Sequence, residues 1–326
     1  VIASVDGFEA EIASLGETVK GLGSPFPVVL VSPAPDLKCT LPGSPWPPCP
    51  PAAALYRAAR AAFPDARLGG GMFSYFTELN RKRPPVELID LVTFTTSSLV
   101  HAGDDRSATE SLESLPHVAR SVRSFIAGKP YVVGPSAIGM RDNPYGEAPM
   151  ENPHNIRQAM NRVDPRQRGL LGAAWNLGYF AHFARGGAAA VALGGPVGAH
   201  GLFHAPMPWT QPWFDESQGL YPVFHIVRGL ARLAGGTMHA VDISNPRAVQ
   251  AFAADGPAGR EIWLANLTGE EREVSVPGVE GGRVAVLDGG AFAAAAGAPD
   301  ALDAPDRPFG GTVRLGPYAV ARLLAA

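Results

Sequence analysis

Apolar positions follow two rhythms along this chain. In the first two-thirds, short continuous apolar runs alternate with stretches whose apolar residues recur every three or four positions. Residues 27–32, 66–72, 88–96, 131–138 and 188–193 are runs of the first kind, and 1–5 is a shorter one. Such runs predict strands buried on both faces, as in a parallel sheet. Between them, Phe8, Ile12, Leu15, Val19 and Leu22 fall on one helical face, with Gly21 and Gly23 marking its end. Further helices are predicted over 52–62 and 116–127, from Asp164-Pro165 to Gly186-Gly187, and over 222–234. Asp164 suits an N-cap and Pro165 the first helical position. From about Gly236 the rhythm changes to short alternating segments separated by turn residues: 238–243, 248–253, 260–267, 273–276, 283–287, 312–315 and 318–324. These predict an antiparallel sandwich. Residues 291–304 read as a small-residue loop.

Strand–helix alternation with apolar strands predicts a parallel sheet covered by helices. Six such units are legible. A (β/α)8 TIM barrel needs eight strands, so the first two are expected upstream of Val1, in a segment that completes the barrel. An open doubly wound sheet is the alternative and needs no further strands. The barrel is favoured because long polar loops follow nearly every strand at the same end. The expected organisation is a barrel domain over 1–235 and a β-sandwich domain over 236–326.

A formal net charge of −3 implies no strongly basic face, so nucleic acid is not an expected partner. No apolar run reaches membrane-spanning length. The longest, 170–184, carries Asn176 and His182 and reads as a buried helix. No signal peptide is visible in a chain that starts at Val1, and a cytoplasmic location is expected. Cys39 and Cys49 flank a proline-rich loop. Either a disulfide closes that loop or both thiols are free. Neither the cysteines nor the spacing of His200 and His204 suggests a metal site, and no cofactor is expected.

Candidate chemistry clusters beyond the predicted strand ends. The stretch Gly69-Gly70-Gly71-Met72-Phe73-Ser74-Tyr75-Phe76-Thr77-Glu78-Leu79-Asn80-Arg81 leaves a strand at a glycine cluster and enters a polar run. Glu78 there suits a general acid or base, Asn80 a hydrogen-bonding amide and Arg81 a fixed cation. Past the next strand, His101, Asp104, Asp105 and Arg106 combine an imidazole with carboxylates, which suits proton transfer near neutral pH. One of the two aspartates is expected to cap the following helix. After the strand at 131–138 come Arg141, Asp142, Asn143 and Tyr145. Arg141 suits a developing oxyanion, and the others suit substrate hydroxyls. Trp209, Trp213 and Phe214 are aromatic candidates for packing on a sugar ring, with Trp213 taken as substrate-binding. No GxSxG elbow, HExxH helix, P-loop or dinucleotide fingerprint is present.

The stretches GGGMFSYFTELNRKRPP, VHAGDDRSATESLESL, DPRQRGLLGAAWNLGY and YPVFHIVRGLARL resemble the D-apionate lactonase family. The likeness is close up to about Ala234 and looser beyond. The resemblance implies an N-terminal domain and a first pair of barrel strands before Val1, a central TIM barrel similar to glycosidase barrels, and a C-terminal β-domain. It also implies hydrolysis of a sugar lactone such as D-apionolactone. The residues fit that chemistry with Glu78, His101, Asp104, Asp105 and Arg141 as catalytic groups. Asn80, Arg81, Asp142, Asn143, Tyr145 and Trp213 are then substrate-binding. A glycoside hydrolase pairing Glu78 with Asp105 or Asp142 is the alternative, and a non-catalytic carbohydrate-binding barrel is a third.

Overall fold

In the chain's first half, helix and strand alternate. The helices α1 (Phe8–Gly21) and α2 (Ala52–Ala62) bracket β1 (Val28–Leu30). Next come β2 (Arg67–Tyr75), α3 (Phe76–Arg81), β3 (Leu91–Thr95), α4 (Asp105–Glu110), α5 (Leu115–Arg123), β4 (Tyr131–Ser136), α6 (Leu170–Arg185) and β5 (Ala190–Leu193). This computed structural model describes residues 1–23, 26–143, 146–279 and 281–326. Strands β1 to β5 pair in sequence order, all parallel, as a curled half-barrel. Its helices lie outside, and the polar segments leave the carboxyl ends of the strands.

Three expectations are corrected here. Residues 1–5 form no strand. Ile2 makes a single parallel bridge to Pro33, and the backbone then turns because the Glu11 carboxylate accepts from the amides of Ala3 and Ser4 at 2.9 and 2.8 Å. The parallel sheet thus has five strands, with Ile2 as the vestige of a sixth. The Gly69–Gly71 cluster lies inside β2, which runs on to Tyr75. A Cβ on Gly70 would lie 2.4 Å from the Tyr56 ring, and one on Gly71 would lie 2.2 Å from the Thr93 carbonyl oxygen. The glycines serve close packing, not a strand end. The helix expected from Asp164 is broken at Gly169. Pro165–Arg168 form a 3-10 turn capped by Asp164, and α6 starts only at Leu170.

Helix α6 is apolar nearly all round because it is covered on both sides. Its inner face meets the half-barrel, where Tyr179 and Phe183 pack at 4.9 Å and Phe183 stands against Phe94. Its outer face meets the C-terminal sheet, with Phe180 on Phe252 at 5.0 Å.

After β5 the chain forms a short ribbon, β6 (Gly195–Val197) with β7 (Gly201–Phe203), then the turn α7 (Phe214–Ser217) and α8 (Pro222–Ala231). The C-terminal part comprises β8 (Val249–Gly256), β9 (Gly259–Asn266), β10 (Arg272–Ser275), β11 (Gly282–Leu287), α9 (Phe292–Gly297), β12 (Arg307–Pro308), β13 (Thr312–Leu315) and β14 (Val320–Ala325). Sheet β12-β11-β14-β9-β8 packs with the β10-β13 pair, as the alternating pattern predicts. Residues 238–243 contribute only a bridge from Met238 to Ala254, and the expected small-residue loop carries α9. Gly229 of α8 sits so close to the Trp263 ring that a Cβ would fall 2.1 Å from it.

Candidate active site

A cavity of about 620 Å³ opens at the carboxyl ends of β2 and β3. Five segments wall it, one of them carrying Ser111, Ser114, Leu115 and Val118 around the start of α5. Cys39 and Thr40 come from the loop after β1, and Tyr75, Glu78 and Arg81 from the end of β2 and from α3. Thr96, Ser97 and His101 follow β3, while Trp175 and Tyr179 rise from α6.

Glu78 is the most constrained group in it. Placed in the first turn of α3, it is only 3 % exposed. Arg81, one helical turn on, donates to Oε1 at 2.6 Å, and the Thr77 hydroxyl donates to Oε2 at 2.7 Å. The Arg81 guanidinium also donates to the Thr40 carbonyl and lies 5.3 Å from the Trp46 ring centre, so it ties α3 to the proline-rich loop. Lys82 pins the same loop by donating to Asp36 at 2.7 Å and to the Cys49 sulfur at 3.0 Å. Both cysteines are free thiols. Burial, then the neighbouring Glu78 charge, pushes the Cys39 thiol far up from its ordinary value, so it stands protonated beside that carboxylate.

Hydroxyls line the strand-end side. The Tyr179 hydroxyl is fully buried and shares hydrogen bonds of 2.7 Å with Thr96 and with Ser136, bridging the ends of β3 and β4. Burial lifts its ionisation to about 12. The Tyr75 hydroxyl donates to the Asp142 carbonyl oxygen at 2.6 Å. Arg141 lies within electrostatic reach of both tyrosines, and burial without a carboxylate lowers its guanidinium pKa.

Glu78, His101, Asn80 and Arg81 all line this cavity. Asn80 is exposed, and its side-chain oxygen accepts from Arg83 at 2.9 Å. Other expected residues stand elsewhere. Asp104 is exposed and caps α4, accepting from the Ser107 amide at 2.8 Å. Asp105 belongs to an ion network with Arg157 at 2.6 Å and Arg166 at 3.3 Å, and it also accepts from the Tyr318 hydroxyl. Neither aspartate lines the cavity, because the helix they begin turns them away from it. Asp142 is paired with Lys38 at 2.8 Å, and the Asn143 amide donates to the Ala148 carbonyl. Trp213 packs edge-on against Phe292 in a separate cleft between barrel and sandwich. Tyr145 lies outside the described residues. Cys39, Thr40, Tyr75 and Tyr179 are cavity residues that the polar pattern did not single out. Cys39 and Thr40 follow a strand end, a signal that applies to them as much as to Glu78. Tyr179 sits on an apolar helix and carries no local signal.

Among the described residues, no three or more His, Cys, Asp and Glu side chains are grouped to hold a metal ion. No helix among them is long and apolar enough to cross a membrane.

Residues 1–235 match the family model described as D-apionate lactonase, TIM barrel domain, and residues 246–323 match its C-terminal immunoglobulin-like domain. A D-apionate lactonase from Brucella anthropi is 43 % identical over 266 residues, covering 82 % of this chain and 42 % of the relative. The chain thus spans less than half the length of that curated relative. Among solved structures, a GH30 endoxylanase from Clostridium papyrosolvens C71 superposes with a TM-score of 0.54 at 11 % identity, covering 98 % of this chain and 70 % of that one. CelM2, a bifunctional glucanase-xylanase from a metagenome library, gives a TM-score of 0.51 at 11 % identity over 98 % and 69 %. At such identities these two show the shared fold alone.

Proposed function

The chain belongs to the D-apionate lactonase family, and from that premise we propose that it contributes the catalytic part of a hydrolase that opens a sugar lactone to its hydroxy acid. One observation carries the reading: a buried carboxylate, Glu78, lines a cavity of sugar size at the strand ends that His101 also lines.

In the proposed reaction a water attacks the lactone carbonyl while Glu78 takes its proton. The developing oxyanion is assigned to Arg141, which does not line the cavity itself but stands within electrostatic reach of Tyr75 and Tyr179 on its wall. Collapse breaks the ring C–O bond, and the leaving alkoxide takes a proton from His101 or from protonated Glu78. Lactone plus water gives hydroxy acid, with no covalent enzyme intermediate. Arg81 holds one Glu78 oxygen, Oε1, and balances the carboxylate's charge, while Thr77 holds the other. Asp104 and Asp105 have no part here, since one caps a helix and the other is held by two arginines. The same engagement weighs against a paired-carboxylate glycosidase, whose second carboxyl would be Asp105 or the Lys38-bound Asp142. Among the described residues the end strands of the parallel sheet, β1 and β5, each pair with a strand on one side only, and Val28 of β1 is 41 % exposed. That supports the reading that further strands close the ring in the active protein.

The test is hydrolysis of D-apionolactone, followed by acid release, beside an aryl glycoside. Lactone turnover that falls by a factor of about a hundred or more in Glu78→Gln supports the reading. Glycoside cleavage, or lactone turnover indifferent to Glu78→Gln, overturns it.

A further inference from the structure

Arg168 closes the 3-10 turn before α6 and is 6 % exposed. A buried guanidinium ordinarily has a carboxylate partner, because desolvating an unpaired charge costs several kcal/mol. Arg168 has none among the described residues. Asp164, four residues earlier, is taken up by Arg166 through bonds of 2.8, 2.7 and 2.9 Å, and by Asn161. Instead, Nη2 of Arg168 donates to the Asn155 side-chain oxygen, and the guanidinium lies 5.5 Å from the Trp209 ring centre. Nη1 of Arg168 and the indole Nε1 of Trp209 are both buried and have no hydrogen-bond partner. Two N–H donors are thus left unfilled at one stacked pair.

The surroundings carry the same mismatch. The neighbouring Gln167 ties this turn to the end of β4, accepting from the Ile138 amide at 3.1 Å. One residue on, a Cβ on Gly139 would meet the Arg162 carbonyl oxygen at 2.2 Å and the His200 ring at 3.2 Å. Nε of Arg141 and both ring nitrogens of His200 are buried without partners. Burial, then the charges of Arg141 and Arg162, holds the His200 imidazole neutral, at about 4. This part of the rim therefore offers guanidinium charge that lacks an anion, and N–H groups that lack acceptors.

We propose that the segments following β4 and β5 build an anion-recognition subsite, in which Arg168 and Trp209 donate to the carboxylate of a polyhydroxy acid. Unfilled N–H donors beside a cation call for an anionic acceptor, and a guanidinium fork matches the two oxygens of a carboxylate. The neutral His200 ring, one donor and one acceptor, suits a hydroxyl of the same ligand. The subsite is a binding site in its own right and does not require that Glu78 catalyse anything. The hydroxy acid formed by lactone opening is a ligand of this class.

Titration calorimetry on the 326-residue chain tests it, with sodium D-gluconate, the neutral polyol D-glucitol and inorganic phosphate as probes. The expected result is gluconate binding that D-glucitol does not reproduce. That binding weakens tenfold or more in Arg168→Met and in Trp209→Phe, as for loss of a hydrogen bond to a charged group, and persists in Glu78→Gln. Trp209→Phe keeps the ring and loses only the N–H, so it reports on the donor even if Arg168→Met unfolds. Equal binding of D-glucitol, phosphate binding without gluconate binding, or affinity unchanged in Trp209→Phe overturns the assignment. Silence with all three probes also overturns it, since an internal water or another part of the protein then fills the donors.

Discussion

Glu78 and Cys39 are best understood together. A carboxylate at 3 % exposure needs donors, and it has Arg81 and Thr77, with the protonated Cys39 thiol beside it. Because burial and that carboxylate hold the thiol protonated, Cys39 is a poor nucleophile despite lining an open cavity. The prediction is that iodoacetamide at pH 8 leaves Cys39 unmodified in the folded protein and alkylates it once urea unfolds the chain, as read by peptide mass spectrometry. Rapid labelling of native Cys39 would mean that burial and the Glu78 charge do not hold the thiol protonated. Local sequence singled out Glu78 as a candidate, because a carboxylate just past a strand end is visible in one dimension. It did not identify Cys39, because what matters there is a contact between two different loops.

Among the elements, β2 holds the site in place. Its triple glycine lets the Tyr56 ring and the β3 backbone approach the strand closely, and the Gly71 amide donates to the Tyr56 hydroxyl at 3.2 Å. Gly71 also has φ +144°, a conformation unfavourable for any residue with a side chain. Gly71→Ala is therefore expected to destabilise the protein by about 2 kcal/mol or more through backbone strain and collision with Thr93, measured as a lowered urea midpoint. Gly70→Ala should do the same through Tyr56. Wild-type midpoints in both variants would show that β2 is not packed as described. The apolar run made β2 legible as a strand. Its end was not, because glycine marks a turn in one context and close packing in another.

For the molecule as a whole, acid is the natural denaturant. His182 on α6 and His200 on the rim are both held neutral by burial, at about 4 against an ordinary 6.5. Between those values the unfolded chain binds more protons than the folded one. Stability is therefore complete above about pH 6.5 and falls as the pH drops toward 4, by on the order of a few kcal/mol for the two together. Urea midpoints measured between pH 7 and 4 should show this decline. His182→Gln should flatten part of it, and a slope unchanged in that variant would remove His182 from the account.

The chain's own periodicities determined the two-part architecture: buried parallel strands with outer helices first, an alternating sandwich afterwards. Repeat length and turn chemistry are local properties, so they survive in one dimension. Long matching stretches also carried the family. Tertiary structure alone decided which polar residues meet. A helix cap from Asp104 or Asp105 was expected, but only the structure gives the cap to Asp104 and turns Asp105 toward Arg157 and Arg166, both away from the His101 cavity. Trp213, a candidate sugar platform, stands away from the Glu78 cavity and packs edge-on against Phe292. Conversely, Tyr179 reaches the cavity from an apolar helix, and Arg168 has no carboxylate partner among the described residues while Arg166 takes up Asp164. Pairing of charges and hydroxyls depends on separations of a few ångströms between distant segments, and no local pattern encodes those.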